Sequence, residues 1–317
     1  MSDPAPGHRP GTDPGPGPGD ATDVFVDHRE LLFSLVYNML GSVADTEDVL
    51  QETWLSWTAR NEASDADRIE SPRAYLVRIA VNKALSRQAA ISRRRETYIG
   101  TWLPEPLVSA ADTVPSPADE AAERAERAES VSMAMLVVLE TLSPLERAVF
   151  ILHEVFGYAH TETAGILGRS PAAVRQLAHR ARAHVQARRP RHRTDPLLHR
   201  RATEHFLDAV FGGDLAALMR LLAPDVTLWA DGGGKSPAAG PLPVHGRDNV
   251  ARLLISRASH REGLEIVYRQ VNGDPAAVLF SGDTPFAVMV LDLTPDGEQI
   301  SDIYNVANPD KLPPGVR

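Results

Sequence analysis

The segment YAHTETAGILGRSPAAVRQLAHRARAHV, residues 158–185, leaves few folds open. Ala164 stands four residues before Gly168, and Val174 and Leu177 stand six and nine residues after it. A small residue lets two helices approach closely, glycine permits the turn between them, and the later apolar pair seats the second helix. This is the pattern of a helix-turn-helix. Ser170 suits the N-cap of the second helix and Pro171 its first turn. From Arg169 to Arg193 the basic residues Arg169, Arg175, Arg180, Arg182, Arg188, Arg189, Arg191 and Arg193 occur with no Asp or Glu among them. Such a run suits a polyanion. Ala172, Ala173, Arg175, Gln176 and His179 fall on or near the face away from Val174 and Leu177. Arg and Gln can bond guanine and adenine edges in the major groove, so these residues, with Ser170 at the helix start, are the candidates for base readout. Arg180, Arg182, Arg188 and Arg189 suit phosphates, which anchor without specifying.

The formal net charge of −9 argues against a nucleic-acid partner until its distribution is examined. A second acid-free island runs from Ser71 to Arg95, with Arg73, Arg78, Lys83, Arg87, Arg93, Arg94 and Arg95. Two basic islands in an acidic chain fit two contacts with one duplex. With 317 residues and 43% hydrophobic composition, the chain can form two or three domains. The absence of cysteine excludes disulfides and thiolate metal sites. The histidines lack ligand spacing, and nothing implies a cofactor. No apolar run approaches the roughly 20 residues of a membrane helix, and MSDPAPGHRP is no secretory signal. The expectation is a soluble cytoplasmic protein without a membrane partner.

Residues 1–21, rich in Pro and Gly, are expected to form a disordered tail. Residues 22–97 form a helical domain. Leu31, Leu32, Leu35, Val36, Met39 and Leu40 line one helix face before Gly41. Asp45 is a plausible N-cap for the next helix, whose stripe Val49, Leu50, Trp54 and Trp57 favours core packing over base stacking. Pro72 opens a third, basic helix. Residues 98–130 form a linker whose second half has the composition to begin a helix, and whose Trp102, Leu103 and Leu107 suit a nearby hydrophobic groove. Residues 131–190 hold the helix-turn-helix. Residues 196–317 open with helices and continue in short β-like runs, VTLWAD, PLPVHG, LEIVYRQV, AAVLFS, FAVMVLDLT and QISDIYNVAN, interrupted by the helical RDNVARLLISRAS. They predict an α+β cone with a curved antiparallel sheet.

GSVADTEDVLQETWLSW followed by SPRAYLVRIAVNKAL resembles region 2 of bacterial RNA polymerase sigma factors of the extracytoplasmic-function (ECF) group. LSPLERAVFILHEVFGYAHTETAGILGRSPAAVRQLAHRAR resembles their region 4. The linker TYIGTWLPEPL, the loop DGGGK and the terminal NPDKL are similar to the subgroup with a SnoaL-like C-terminal domain, the SigJ type. The resemblance implies a multidomain chain, two all-α sigma domains plus a SnoaL-like cone. It implies core RNA polymerase and promoter DNA as partners, with Glu47, Asp48, Gln51 and Glu52 docking on the beta-prime clamp. It places Asn82 and Lys83 nearest the bases of the −10 element, Arg87 and Arg93 to Arg95 along its backbone, the helix beginning at Ser170 on the −35 element, and region 4 on the beta flap.

A phosphate-binding loop is the first thought for DGGGK, but the leading spaced glycine is missing and SPAAGPLP stands where a helix is required. A β-hairpin connection accounts for some of the glycine. The resemblance adds a regulatory contact between cone and sigma domains. Gly232, Gly233 and Gly234 would allow close backbone approach, Asp231 and Lys235 would supply polar contacts, and Trp102, Leu103, Pro104, Asn308, Pro309, Asp310, Lys311 and Leu312 would complete the interface. Asp225, Asp231, His245, Asp283 and Asp302 are the acid/base groups available in the cone, but no spaced pair requires chemistry, so no enzyme is expected. A small-molecule ligand of the cone stays open. The alternatives are a helix-turn-helix regulator with a ligand-sensing domain and an enzyme with a DNA arm; the regulator needs neither the acidic helix nor the second basic one.

Arg175→Ala or Gln176→Ala is expected to relax discrimination at particular bases by about 1–3 kcal/mol. Arg188→Ala is expected to weaken all sequences alike. Binding across a panel of promoter variants checks both.

Overall fold

The computed structural model describes residues 18–62, 69–95, 97–109, 131–188, 195–259 and 263–312. Helix α1, Pro18–Leu40, begins inside the stretch expected as tail; residues 1–17 lie outside the described residues. Proline fits a first helical position, and Ala21 is buried with its carbonyl accepting from Trp57 Nε1 at 2.8 Å. Gly41, at φ +68°, ends the helix. Helix α2, Val43–Glu62, starts earlier than an Asp45 cap would place it. Ser42 takes the capping position: its carbonyl accepts from Thr46 N, and its hydroxyl accepts from Asp45 N at 3.3 Å. Asp45 instead lies in the first turn, buried against Arg87 of α3, Pro72–Arg95. Trp57 is buried, and Trp54 packs edge-on to Phe25 at 5.2 Å, so both serve the core.

Helix α4, Met133–Leu139, precedes α5, Pro144–Phe150, which opens with a reciprocal capping box between Ser143 and Glu146. A π-helical turn, Ile151–Val155, leads to α6, His160–Leu167. Gly168, at φ +61°, makes the turn into α7, Pro171–Arg188. Ala164 and Val174 are buried at the α6–α7 crossing, as the spacing requires. One apolar core runs through both helical units, joining Leu35, Leu76 and Val81 with Leu152, Ile166 and Val174. Arg147 bridges them from inside: its Nε donates to Asn38 O at 3.0 Å and its guanidinium pairs with Glu140. Burial pushes Arg147 down to about 9, which still leaves it charged at neutral pH.

The last unit sets α8, Pro196–Phe211, α9, Leu215–Leu221, and α10, Arg247–Ala258, against one face of a six-stranded sheet. Its strands are β1, Leu222–Asp231, β2, Val244–His245, β3, Leu264–Val271, β4, Asp274–Ser281, β5, Thr284–Leu293, and β6, Ile300–Val306, in the order β2-β1-β6-β5-β4-β3. The sheet is mixed, not antiparallel as expected, because β1 pairs parallel with β6. Short turns force antiparallel neighbours from β3 to β6, whereas the long route from β1 to β6 imposes no such direction. Alternation along the strands gives two apolar faces. Leu228, Leu279 and Leu291 pack with Phe206 and Val250 on one; Val278, Val288, Val290 and Val306 pack with Leu103 and with Met133 and Ala134 of α4 on the other. The linker thus does more than fill a groove. Its residues 97–109 form a strap between the helical units and the cone, while the helix expected in its second half falls outside the described residues.

Trp57→Ala removes a buried indole and its hydrogen bond to Ala21. It is expected to cost the helical unit about 3–5 kcal/mol, checked by thermal unfolding followed at 222 nm, a wavelength that reports helix.

Candidate nucleic-acid interface and interdomain lock

Glu47, Asp48, Gln51 and Glu52 lie together on one exposed face of α2, because residues a turn apart share a side. They are not free of internal partners. Arg29 holds Glu47 through two contacts of 2.7 and 2.8 Å. Arg87 pairs with Asp48 and, at 2.8 Å, with Asp45, and Lys83 lies 3.4 Å from Glu52. Burial works against the Arg87 charge, but the carboxylates Asp45 and Asp48 outweigh it and hold the guanidinium above its ordinary range. Between α2 and α3 opens a cavity of about 560 Å³ lined in part by Tyr75, Arg78, Asn82, Lys83, Ser86 and Arg87. Asn82 Nδ2 also donates to Ile166 O of α6 at 3.1 Å, so the helix-turn-helix rests on the α3 face. Arg93 is exposed on α3, and nothing is described of the Arg94 and Arg95 side chains.

On α7, Ala172, Arg175, Gln176 and His179 are exposed and Ala173 is half-buried, while Val174 faces the core. The Ser170 hydroxyl caps the helix, accepting from Ala173 N at 3.2 Å. Two of the four arginines expected on phosphates are tethered within the unit: Arg180 donates to Glu146 at 2.9 Å and Arg182 to Glu154 at 2.5 Å. The His153 and His160 rings lie 4.0 Å apart at the start of α6. Desolvation, then the nearby His153, Arg175 and Arg182, hold His160 below its ordinary value. Arg188 contacts His184; Arg189 lies outside the described residues.

The DGGGK loop meets the strap. Asp231 is fully buried at the end of β1, and its carboxylate accepts from Tyr98 Oη at 2.5 Å, Leu103 N at 2.9 Å, Lys311 Nζ at 2.7 Å and Gly233 N at 3.1 Å. Lys311 also donates to Leu103 O at 2.6 Å and sits 4.1 Å above the Trp102 ring, a cation–π contact. Burial, with the carboxylate of Asp231 next, raises the Tyr98 hydroxyl above its usual range, so it stays a proton donor. Asn308 donates to the same hydroxyl at 2.8 Å and caps the 3₁₀ turn Pro309–Lys311 through Asp310 N; Asp310 pairs with Lys235. Leu312 packs against the apolar cluster that includes Leu103. A side chain on Gly233 would begin 2.5 Å from Asn308 Nδ2, and one on Gly234 3.1 Å from Ile99, both at positive φ. Gly232 O accepts from Lys235 N and Ser236 N, closing a turn where a nucleotide-binding loop would start a helix.

The structure therefore gathers Trp102, Leu103, Asp231, the three glycines, Lys235 and residues 308–312 in one place. Sequence inspection did not single out Tyr98, Tyr37, Glu105, Asn272 or Arg147. A tyrosine beside a proline-rich linker and an Asn-Gly pair between two strands were the available signals; Arg147 offered none.

Two basic helical units, one a helix-turn-helix, joined by a strap to an α+β cone define a sigma-type, promoter-directed architecture. The models for Sigma-70 region 2, Sigma-70 region 4 and a SnoaL-like domain match residues 24–96, 132–185 and 203–302. The ECF RNA polymerase sigma factor SigJ of Mycobacterium tuberculosis is 36% identical over 90% of each chain. The probable ECF sigma factor SigI of the same species is 31% identical over 90% of this chain and 93% of its own. The crystal structure of M. tuberculosis SigJ superposes with a TM-score of 0.69 at 32% identity, covering 92% of this chain and 97% of that one. The chain belongs to the ECF RNA polymerase sigma factors, carries a fused SnoaL-like domain, and directs promoter-specific initiation of transcription.

Lys311→Met strands the Asp231 carboxylate in the interior. Removing one partner of a buried pair costs about 3–5 kcal/mol, so faster proteolysis within residues 97–109 and a lower unfolding midpoint are expected.

Proposed function

We propose that α2 docks on the beta-prime clamp of core polymerase, α3 meets the −10 element and α7 reads the −35 element, with the cone modulating all three through the strap. The acidic face of α2 beside the basic face of α3 is the observation that carries this reading. A DNA-only regulator has no need of the first. Asn82, Lys83 and Arg87 line a cavity next to Tyr75, whose ring offers a stacking surface for an unpaired base. Arg175, Gln176 and His179, exposed on α7, serve base readout, and the arginines at 180 and 182 change partner from Glu146 and Glu154 to phosphate.

The contact from Asn82 to Ile166 of α6 holds the helix-turn-helix against α3. Promoter elements lie apart on the duplex, so binding both requires this contact to open. The Asp231–Lys311 pair is the internal regulatory contact, and the cone serves it without catalysis. Among the described residues, no helix is long and apolar enough to cross a membrane. A small-molecule effector would act on the cone.

Adding the chain to core polymerase and promoter DNA is expected to give initiation at a defined start site. Repression or activation only alongside another sigma factor would support the regulator instead. Glu47→Lys with Glu52→Lys is expected to weaken polymerase binding at least tenfold in a direct titration, leaving the promoter preference of α7 intact. Asp231→Asn in the full-length chain is expected to change transcript yield from core polymerase and promoter DNA.

A further inference from the structure

The corner between α1 and α2, residues 37–43, is where three other parts of the chain meet. From the strap, Glu105 grips it along its whole length. Its N–H donates to Gly41 O at 2.9 Å, its carboxylate accepts from Val43 N at 2.6 Å and from Ser42 Oγ at 2.9 Å, and its carbonyl accepts from Tyr37 Oη at 2.5 Å. From the cone, Asn272 in the β3–β4 turn donates Nδ2 to the same tyrosine oxygen at 2.9 Å. Its own N–H donates to Leu107 O at 2.9 Å while its Oδ1 accepts from Leu107 N at 3.2 Å, clasping the strap two residues past Glu105. From the helix-turn-helix unit, Arg147 reaches Asn38 O.

Val43 is the first residue of α2, so its N–H has no acceptor within the helix. A carboxylate at that end is favoured by the helix dipole as well. The Ser42 hydroxyl reaches Asp45 N only at 3.3 Å. Glu105 is thus the charged cap of α2, supplied from 62 residues further along the chain. Asn272 holds a left-handed conformation, φ +52°, of the kind Asn-Gly hairpin turns adopt, and is 5% exposed.

We propose that Glu105 is a positioning residue for polymerase docking: it caps α2 from the strap, fixing the first turn, on which the part of the helix bearing Glu47 and Asp48 is built, and Asn272 makes that cap conditional on a seated cone. The inference rests on α2 as the docking helix. A shift of the cone carries the strap with it, uncaps α2 and lets its first turn fray. The docking-competent fraction then falls, and apparent affinity falls with it. Through this contact the cone assists docking, a sign of regulation that the Asp231–Lys311 lock does not specify.

Full-length Glu105→Gln preserves size while removing the charge. Hydrogen exchange at the amides of residues 43–46 and titration with core polymerase read the result. Exchange is expected to quicken and the Kd to rise about fivefold, the size of a lost helix cap. Ser42→Asp in the Glu105→Gln chain places a carboxylate at the cap from α2's own side and is expected to restore both. Asn272→Ala, which leaves Glu105 itself intact, is expected to give the same shift alone and little more in combination, the non-additivity of one shared contact. Wild-type affinity in Glu105→Gln and Asn272→Ala while Glu47→Lys weakens binding overturns the capping role and leaves the docking assignment standing. Failure of Ser42→Asp to restore affinity overturns it too, because the loss would then come from elsewhere in the strap. Wild-type affinity in all of these variants, Glu47→Lys included, removes the docking assignment and the inference together.

Discussion

A carboxylate taken out of water has to be met by donors, and Asp231 imposes that demand where the sheet ends and the glycine loop begins. Desolvating such a group costs several kcal/mol unless hydrogen bonds replace its hydration. The donors come from the strap, from the last described turn and from the loop itself, so three segments distant in sequence must converge. Once Leu103 is pinned there, Trp102 and Pro104 fall against Gly41, whose missing side chain leaves them room, and Glu105 falls on the start of α2. The placement of the cone relative to the sigma units follows from that one requirement.

The charges of the molecule divide into two kinds. Glu47, Asp48 and Glu52 with Arg29, Arg87 and Lys83, and Arg180 with Glu146, are at least partly exposed pairs. Such pairs are worth little and are screened by salt, so a polymerase surface or a phosphate can take one partner at small cost. Asp231 with Lys311 is a buried pair, and Arg147 is buried beside a half-buried Glu140; neither exchanges in that way. The exposed set suits binding to other molecules; the buried set fixes the chain against itself.

Local features were legible in the sequence. The helix-turn-helix, its Ser170 cap and the β runs of the cone depend on neighbours within a few residues, which spacing and periodicity record. Asp45 misled because several residue types suit a cap, and Ser42, three positions earlier, took the role once Arg87 claimed the aspartate. The parallel pairing of β1 with β6 and the tethers on Arg180 and Arg182 depend on residues far apart in the chain, for which periodicity has no signal. Asp231, the loop glycines and residues 308–312 could be grouped only through family resemblance. Tyr98, Glu105 and Asn272, which complete the contact, carry no local pattern beyond an aromatic and an acid among prolines and an Asn-Gly pair between strands.

Arg147 sits as a cation in the seam between the two helical units, with one carboxylate and one carbonyl for company. Parting the units would return that guanidinium to water and recover its hydration, something an aliphatic side chain there would not gain. The closed arrangement is therefore held less firmly than an aliphatic contact in the same seam would hold it, because the guanidinium regains water as the units part.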